Sequence, residues 1–210
     1  MKVNTYFAWL AIILGCYYWH YGQPYLARAW AYPHTHDRLI ARAAGDQDVS
    51  PALIHAIILQ ESKYQEDAKS GRGALGLMQL MPDTAHWIGE QLDMEDLTDD
   101  HLSHPETNIR LGSWYIGYLL KEYHGNEILA LAAYNAGHGH VDQWMEDKGW
   151  GYDFNDPSAI PFPETRNYVE SHFLTLQVDG RHHNVTWLLP QELDDALTQE
   201  IGRASCRERV

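Results

Sequence analysis

Cysteine is nearly absent from this chain. Two occur in 210 residues, Cys16 and Cys206, and none lies between them. No disulfide can brace the interior of the region they enclose. Cationic side chains are also scarce: 15 Lys and Arg stand against 29 Asp and Glu, a formal charge of −14. So acidic a chain repels phosphate backbones, which disfavours nucleic-acid binding. Its charges read as a solvated face, as in the run from Asp93 to Asp100. Internal repeats are missing, and so is any strand-like alternation long enough for a large sheet. Thirteen histidines are present, in pairs such as His34 and His36, His101 and His104, His138 and His140, and His182 and His183. None of these pairs has the helical i,i+4 spacing of zinc ligands or a cysteine nearby. Solvated or capping histidines are expected, with no metal and no cofactor.

What the chain does have is helical periodicity. Ser50 suits an N-cap and Pro51 the first helical position. The following helix carries Leu53, Ile54, Ile57 and Ile58, and Glu61 falls on the same face, three and four residues past the last two. An apolar stripe thus ends in a carboxyl group. Burial disfavours the charged form and raises its pKa, which keeps a general acid protonated near neutral pH. Taken alone, such a residue reads more readily as a half-exposed glutamate with its head in water.

Further helices are expected over 37–44, 82–91, 107–123, 127–135, 140–148 and 163–176. Ile109, Ile116, Leu119, Leu120 and Tyr123 should face a core, and the Ala-rich 127–135 segment should be central. The stretch 149–162, with two prolines and several aromatics, reads as a loop. The fold class expected is all-α or mostly α.

Downstream of Glu61 stand Ser70 and then Gly71-Arg72-Gly73-Ala74-Leu75-Gly76-Leu77-Met78-Gln79. Three glycines in six residues permit tight turns and close ligand approach. Gln79 brings an amide suited to sugar or peptide groups. Ala133-Tyr134-Asn135-Ala136-Gly137 follows, and then Pro163-Glu164-Thr165-Arg166-Asn167-Tyr168-Val169. Each residue also has a purely structural reading: Tyr134 as a core aromatic, Met78 as core, Gly137 as a helix C-cap that Asn135 assists.

As an ordered set, Glu-Ser, Gly-Leu-Met-Gln, Ala-Tyr-Asn-Ala-Gly and Glu-Thr-Arg-x-Tyr-Val resemble the catalytic domain of the soluble-type lytic transglycosylases. The resemblance covers about residues 37–178. It implies a lysozyme-like, goose-type helical domain with a groove for peptidoglycan glycan strands. Glu61 would be the single catalytic acid/base. Ser70 would orient it or the substrate acetamido group. Gln79 and Met78 would line the groove, Tyr134 and Asn135 would flank the glutamate, and Tyr168 would point its hydroxyl into the site. Where some relatives carry a second serine this chain has Arg72, which could meet an anionic part of the polymer. Glu66 and Asp67 fall on the polar turn after the helix, so no second catalytic acid is expected. A hydrolytic muramidase and a catalytically silent membrane-anchored wall-binding module are the alternative functions.

The ends differ from the middle. Residues 1–30 contain an apolar run from Tyr6 through Trp19, followed by aromatics suited to a membrane interface. An uncleaved signal anchor on an extracytoplasmic envelope protein is expected. A lipoprotein signal at Cys16 is the alternative, because Ile13-Leu14-Gly15-Cys16 resembles a lipobox. The catalytic domain is expected over 31–178, a polar extension over 179–200, and over 201–210 a basic segment that resembles translated sequencing-adapter read-through.

Overall fold

The computed structural model describes residues 35–178, apart from residue 95, and the backbone alone over 174–178. The expected anchor, lipobox and C-terminal segments lie outside these residues. Among the described residues the fold is helical, with seven α-helices and two short 3-10 helices. The α-helices are α1 (Asp37–Gln47), α2 (Pro51–Ser62), α3 (Pro82–Gln91), α4 (Pro105–Glu122), α5 (Glu127–Ala136), α6 (His138–Lys148) and α7 (Pro163–Val178). The mostly α expectation is met. The boundaries move outward by up to three residues in α1, and by two at the starts of α4 and α6 and at the end of α7. Among the described residues, no helix is long and apolar enough to cross a membrane.

Proline punctuates the chain. It occupies the first turn of α2, α3 and α4, and begins α7. Its missing N–H costs nothing there, and its fixed φ suits the helix. Ser50 does precede α2, but its side chain makes no capping bond; its carbonyl accepts from Leu53 and Ile54 instead. Asn126 is a working cap, accepting from the Leu129 amide at 3.0 Å. Its amide nitrogen also donates to Tyr152 and Phe154 carbonyls at 2.9 and 2.7 Å, which ties the 149–162 loop to the start of α5. Gly137 ends α5 at φ 92°, as its C-cap reading predicts.

Two helices form the centre. On α2, Ala52, Leu53, Ile54, Ala56, Ile57 and Ile58 are all buried. On α5, the six residues from Ile128 to Ala133 are buried. Helices apolar on every side need neighbours on every side. Accordingly α5 packs on α4, α6 and α7, and α2 packs on α1 and α7. Of the residues expected to face the core from α4, Ile109, Ile116, Leu119 and Tyr123 do so, while Leu120 is only half-buried.

Residues 63–81 link α2 to α3 without a regular helix. Isolated antiparallel bridges pair Lys69 with Leu75 and Leu75 with Leu80. This loop is pinned from below by Asn108 of α4, which is fully buried. The Asn108 oxygen accepts from the Met78 amide at 2.7 Å. Its nitrogen donates to the Leu75 and Leu102 carbonyls at 2.9 and 2.8 Å. Gly76 packs over that amide at φ 75°, and a Cβ there would collide with the Asn108 side chain and the Leu102 carbonyl. Both the backbone angle and the close approach therefore require glycine.

Candidate active site

Glu61 lies in the last turn of α2, with its side chain half-buried. The chain then reverses through two consecutive left-handed residues, Lys63 (φ 53°) and Tyr64 (φ 64°). Such a conformation is unfavourable for non-glycine residues and needs outside support. His55, on α2, supplies it through a 2.7 Å hydrogen bond between its Nδ1 and the Tyr64 hydroxyl. On its other side the His55 ring lies 3.6 Å from the Asp37 carboxylate.

Burial pushes the Glu61 carboxyl up to about 7 from 4.5, while the Tyr168 hydroxyl and then the Lys63 ammonium pull it down. The carboxyl is therefore half-protonated near neutral pH. Tyr134 from α5 and Tyr168 from α7 are both raised well above the usual phenol value, first by burial and next by the charge of Glu61. Glutamate and two phenols thus share one electrostatic environment built from three helices. Among the described residues, no second carboxylate contributes to the shift of any of the three. Glu66, the nearest sequence candidate, turns away to His36 at 3.1 Å.

Tyr168 combines two features. Its hydroxyl is fully buried and meets no partner at well-formed hydrogen-bonding geometry. Yet it interacts with Glu61 closely enough to favour the ionised carboxylate. Both facts fit a phenol aimed at the carboxyl and loosely held. Replacing it by phenylalanine (Tyr168→Phe) should raise the Glu61 pKa further, because one stabiliser of the charged form is lost. The measurement is the alkaline limb of the kcat/KM profile, expected to move to higher pH. An unmoved limb would show that Tyr168 does not sense the carboxyl.

The remaining candidate residues divide into those that face the site and those that build its walls. Tyr134 donates its hydroxyl to the Met78 carbonyl at 2.8 Å, which fixes the loop against α5. Asn135 accepts from Thr165 Oγ1 at 2.8 Å, which joins the end of α5 to the start of α7. Gln60, beside the acid, bonds Ser171 of α7. The Ser70 hydroxyl accepts from the Ala74 amide at 2.9 Å, closing the glycine-rich turn. Gln79 sits at φ 46° and uses its amide nitrogen on the Ala68 and Gly76 carbonyls at 3.0 and 2.9 Å. Only its side-chain oxygen remains for a ligand. Ser70 and Gln79 thus each spend part of their hydrogen-bonding capacity on loop shape, and the Ser70 O–H and the Gln79 oxygen stay available.

Met78 is placed differently from the groove-lining position expected of it. Its side chain is fully buried, packed against α4 where a Cβ on Gly112 would strike its sulfur. The exposed thioether of this segment belongs to Met81, at 42% exposure, two residues after Gln79. Arg72, expected to face anionic polymer, pairs with Glu164 at 3.5 Å across the loop and the start of α7. Both side chains are well exposed, so the pair contributes little stability. The sequence assigns no role to Asn108, and Thr165 and Arg166 stand in it only as members of a motif. The Arg166 guanidinium donates to the Ile160 carbonyl at 2.7 and 3.2 Å, fixing the chain just before α7. Polar residues at helix positions that turn out to be buried were the available signal for Asn108 and Thr165.

The chain is similar in sequence and fold to known proteins. The family model described as Transglycosylase SLT domain matches residues 38–156. The chain is 37% identical over 142 residues to the soluble lytic murein transglycosylase of Salmonella typhimurium, covering 67% of this chain and 22% of that protein. Among solved structures, it is similar to an inactive mutant of the lytic transglycosylase Slt from Pseudomonas aeruginosa. The TM-score is 0.64 and the identity 34%, over 77% of this chain and 26% of that one. It is similar too to the 70-kDa soluble lytic transglycosylase from Escherichia coli, with TM-score 0.62 and 35% identity over 69% of this chain and 24% of that one. The chain thus spans about a quarter or less of these relatives.

Proposed function

Because the chain belongs to the Transglycosylase SLT domain family, we propose that it is a peptidoglycan lytic transglycosylase with Glu61 as its single acid/base. The observation that carries this reading is the isolated carboxyl: raised to about 7 by burial, flanked by two phenols, with no second carboxylate among the described residues contributing to the shift. A hydrolase with two carboxylates would place a nucleophile or base across the scissile bond. Here one group must do both proton transfers, and a pKa near 7 suits donation and recovery alike.

In the proposed reaction, protonated Glu61 donates to the oxygen between N-acetylmuramic acid and N-acetylglucosamine as that bond breaks. The substrate's own acetamido group assists at the anomeric carbon. The Glu61 carboxylate then takes the proton of the muramic C6 hydroxyl, whose oxygen closes a 1,6-anhydro ring. The proton balance returns to its start and no water is consumed. Tyr168 and Lys63 stabilise the carboxylate between the two steps. Asn135, Tyr134, Ser70 and Gln79 hold the walls that orient the strand, and Met78 contributes through its carbonyl. The place of action is the cell envelope, where the polymer lies. The apolar run within residues 1–30 would tether the domain there on the extracytoplasmic side.

Mass spectrometry of products from purified sacculi tests this directly. Anhydro ends, each lighter by one water than a reducing end, are the expected result. Reducing ends would establish a muramidase, and no release at all would leave only a wall-binding module.

A further inference from the structure

The turn that follows Glu61 is held in a way that helix capping does not require. A helix that closes on a left-handed residue ordinarily does so with glycine. Here Lys63 (φ 53°) and Tyr64 (φ 64°) both take that conformation. Glycine would adopt it freely and would bring no charge. The backbone contributes a bond from the Gln65 amide to the Ser62 carbonyl at 3.0 Å. Side chains from the start of α1 supply further ties. His36 and Asp37, adjacent in sequence, grip the segment at two points. His36 Nε2 lies 3.1 Å from the Glu66 carboxylate. The Asp37 carboxylate lies 3.6 Å from His55 Nε2, and His55 Nδ1 lies 2.7 Å from the Tyr64 hydroxyl.

One tautomer of His55 satisfies both of its contacts. With the proton on Nε2, that nitrogen faces the carboxylate and Nδ1 accepts from the phenol. Tyr64 thus reaches back nine residues along α2, and the main chain must reverse at Lys63 for it to do so. What the reversal presents is the Lys63 ammonium. The titratable groups that share the electrostatic environment of Glu61 are Tyr168 from α7, Tyr134 from α5 and Lys63 from the turn itself. Lys63 supplies the positive charge among them, and that charge favours the carboxylate. Lys63 is exposed, so the backbone beneath it, rather than packing around it, sets where its charge stands.

We propose that His55 is a positioning residue for the reaction: braced by Asp37 and acting through Tyr64, it holds the reversal that stands the Lys63 ammonium beside the Glu61 carboxyl. This rests on the glycan-cleaving reading above, in which the carboxyl must be ionised between two proton transfers. His55 acts at one remove. Its contribution is a fixed backbone, and the group that backbone fixes is Lys63. A loosened turn lets the ammonium move away into water, where its attraction to the carboxylate falls with distance.

The test titrates the Glu61 carboxyl of the full chain by carbon NMR, its resonance identified by its loss in Glu61→Gln. The alkaline limb of kcat/KM on soluble glycan strands is measured beside it. His55→Phe keeps a ring at the position and loses both polar contacts. It should raise the midpoint by roughly half a pH unit, the effect of withdrawing one nearby charge in water-like surroundings. Lys63→Gln should raise it by a similar amount. The double variant should match Lys63→Gln, because His55 acts through the lysine. Tyr64→Phe, which removes only the hydroxyl, should reproduce His55→Phe, and it decides the matter if that variant does not fold. A purely structural brace would lower Tm and leave the midpoint alone. An unmoved midpoint in folded His55→Phe, Tyr64→Phe or Lys63→Gln therefore overturns the proposal. So does a His55→Phe shift that adds in full to that of Lys63→Gln. The carboxyl titration reads out whether or not the chain cleaves glycan, so failure of the proposal leaves sacculus cleavage intact. No release from sacculi by the unaltered chain instead defeats the glycan-cleaving reading itself.

Discussion

Glu61→Gln should abolish sacculus cleavage and, above neutral pH, make the protein more stable. Glutamine keeps the size and hydrogen-bonding capacity of the side chain but cannot give and reclaim a proton. A positioned acid/base contributes roughly 10²–10⁴-fold, so a residual activity above about a tenth would contradict its role. The stability effect has the opposite sign and a definite window. The folded carboxyl titrates at about 7, against 4.5 for the ordinary group. Between those values the folded state holds a proton that the unfolded chain has released. Wild-type stability therefore falls as pH rises through that window and reaches its full loss above 7. Glutamine carries no charge at any pH and escapes the loss. At pH 4 the two proteins should melt together. At pH 8 the variant should be ahead on the order of 1–2 kcal/mol, the half-buried head being partly screened by water. That is roughly 2–8 °C in Tm for a chain of this size. An equal difference at both pH values would show that the carboxyl is not desolvated. The same titration predicts that wild-type kcat/KM declines as pH rises above about 7, where the proton needed for the first step is lost.

Asn108→Ala should be the most destabilising single change near the site. Asn108 is fully buried and makes three hydrogen bonds, one to an amide and two to carbonyls, at 2.7, 2.9 and 2.8 Å. Truncation leaves all three backbone groups in a cavity. Each unsatisfied buried group costs about 1–3 kcal/mol, so a total of roughly 3–6 kcal/mol is expected. For a domain of this size that is a Tm drop of about 10 °C or more. The loop holding Ser70, Gly76 and Gln79 should loosen before the helices do, so activity should decline at temperatures where helical circular dichroism is still native. A loss under 1 kcal/mol in chemical denaturation would mean that water satisfies those groups, and that the loop is not pinned from below.

Glu61 and Asn108 differ in how far their roles can be read from the order of residues alone. The helices and the acid are written locally. Proline at helix starts, glycine at the end of α5 and apolar spacing along α2 and α4 are short-range signals, and local sterics favour helix formation without reference to distant residues. Glu61 is visible in the sequence because it ends an apolar helix whose burial it partly shares, and burial raises a carboxyl pKa. The roles of the surrounding residues depend on partners far along the chain, so they emerge only once the helices have packed. Ser70 and Gln79 each spend part of their hydrogen-bonding capacity on loop geometry. Met78 goes into the core and leaves the exposed thioether to Met81, because the Met78 amide is held by Asn108 and its carbonyl by Tyr134. Thr165 acquires a function only where α7 meets α5. Spacing in sequence tells which residues share a helix face. Which face meets which is set by packing among all the helices at once, and the pairings of Asn108, Tyr134 and Thr165 are products of that packing.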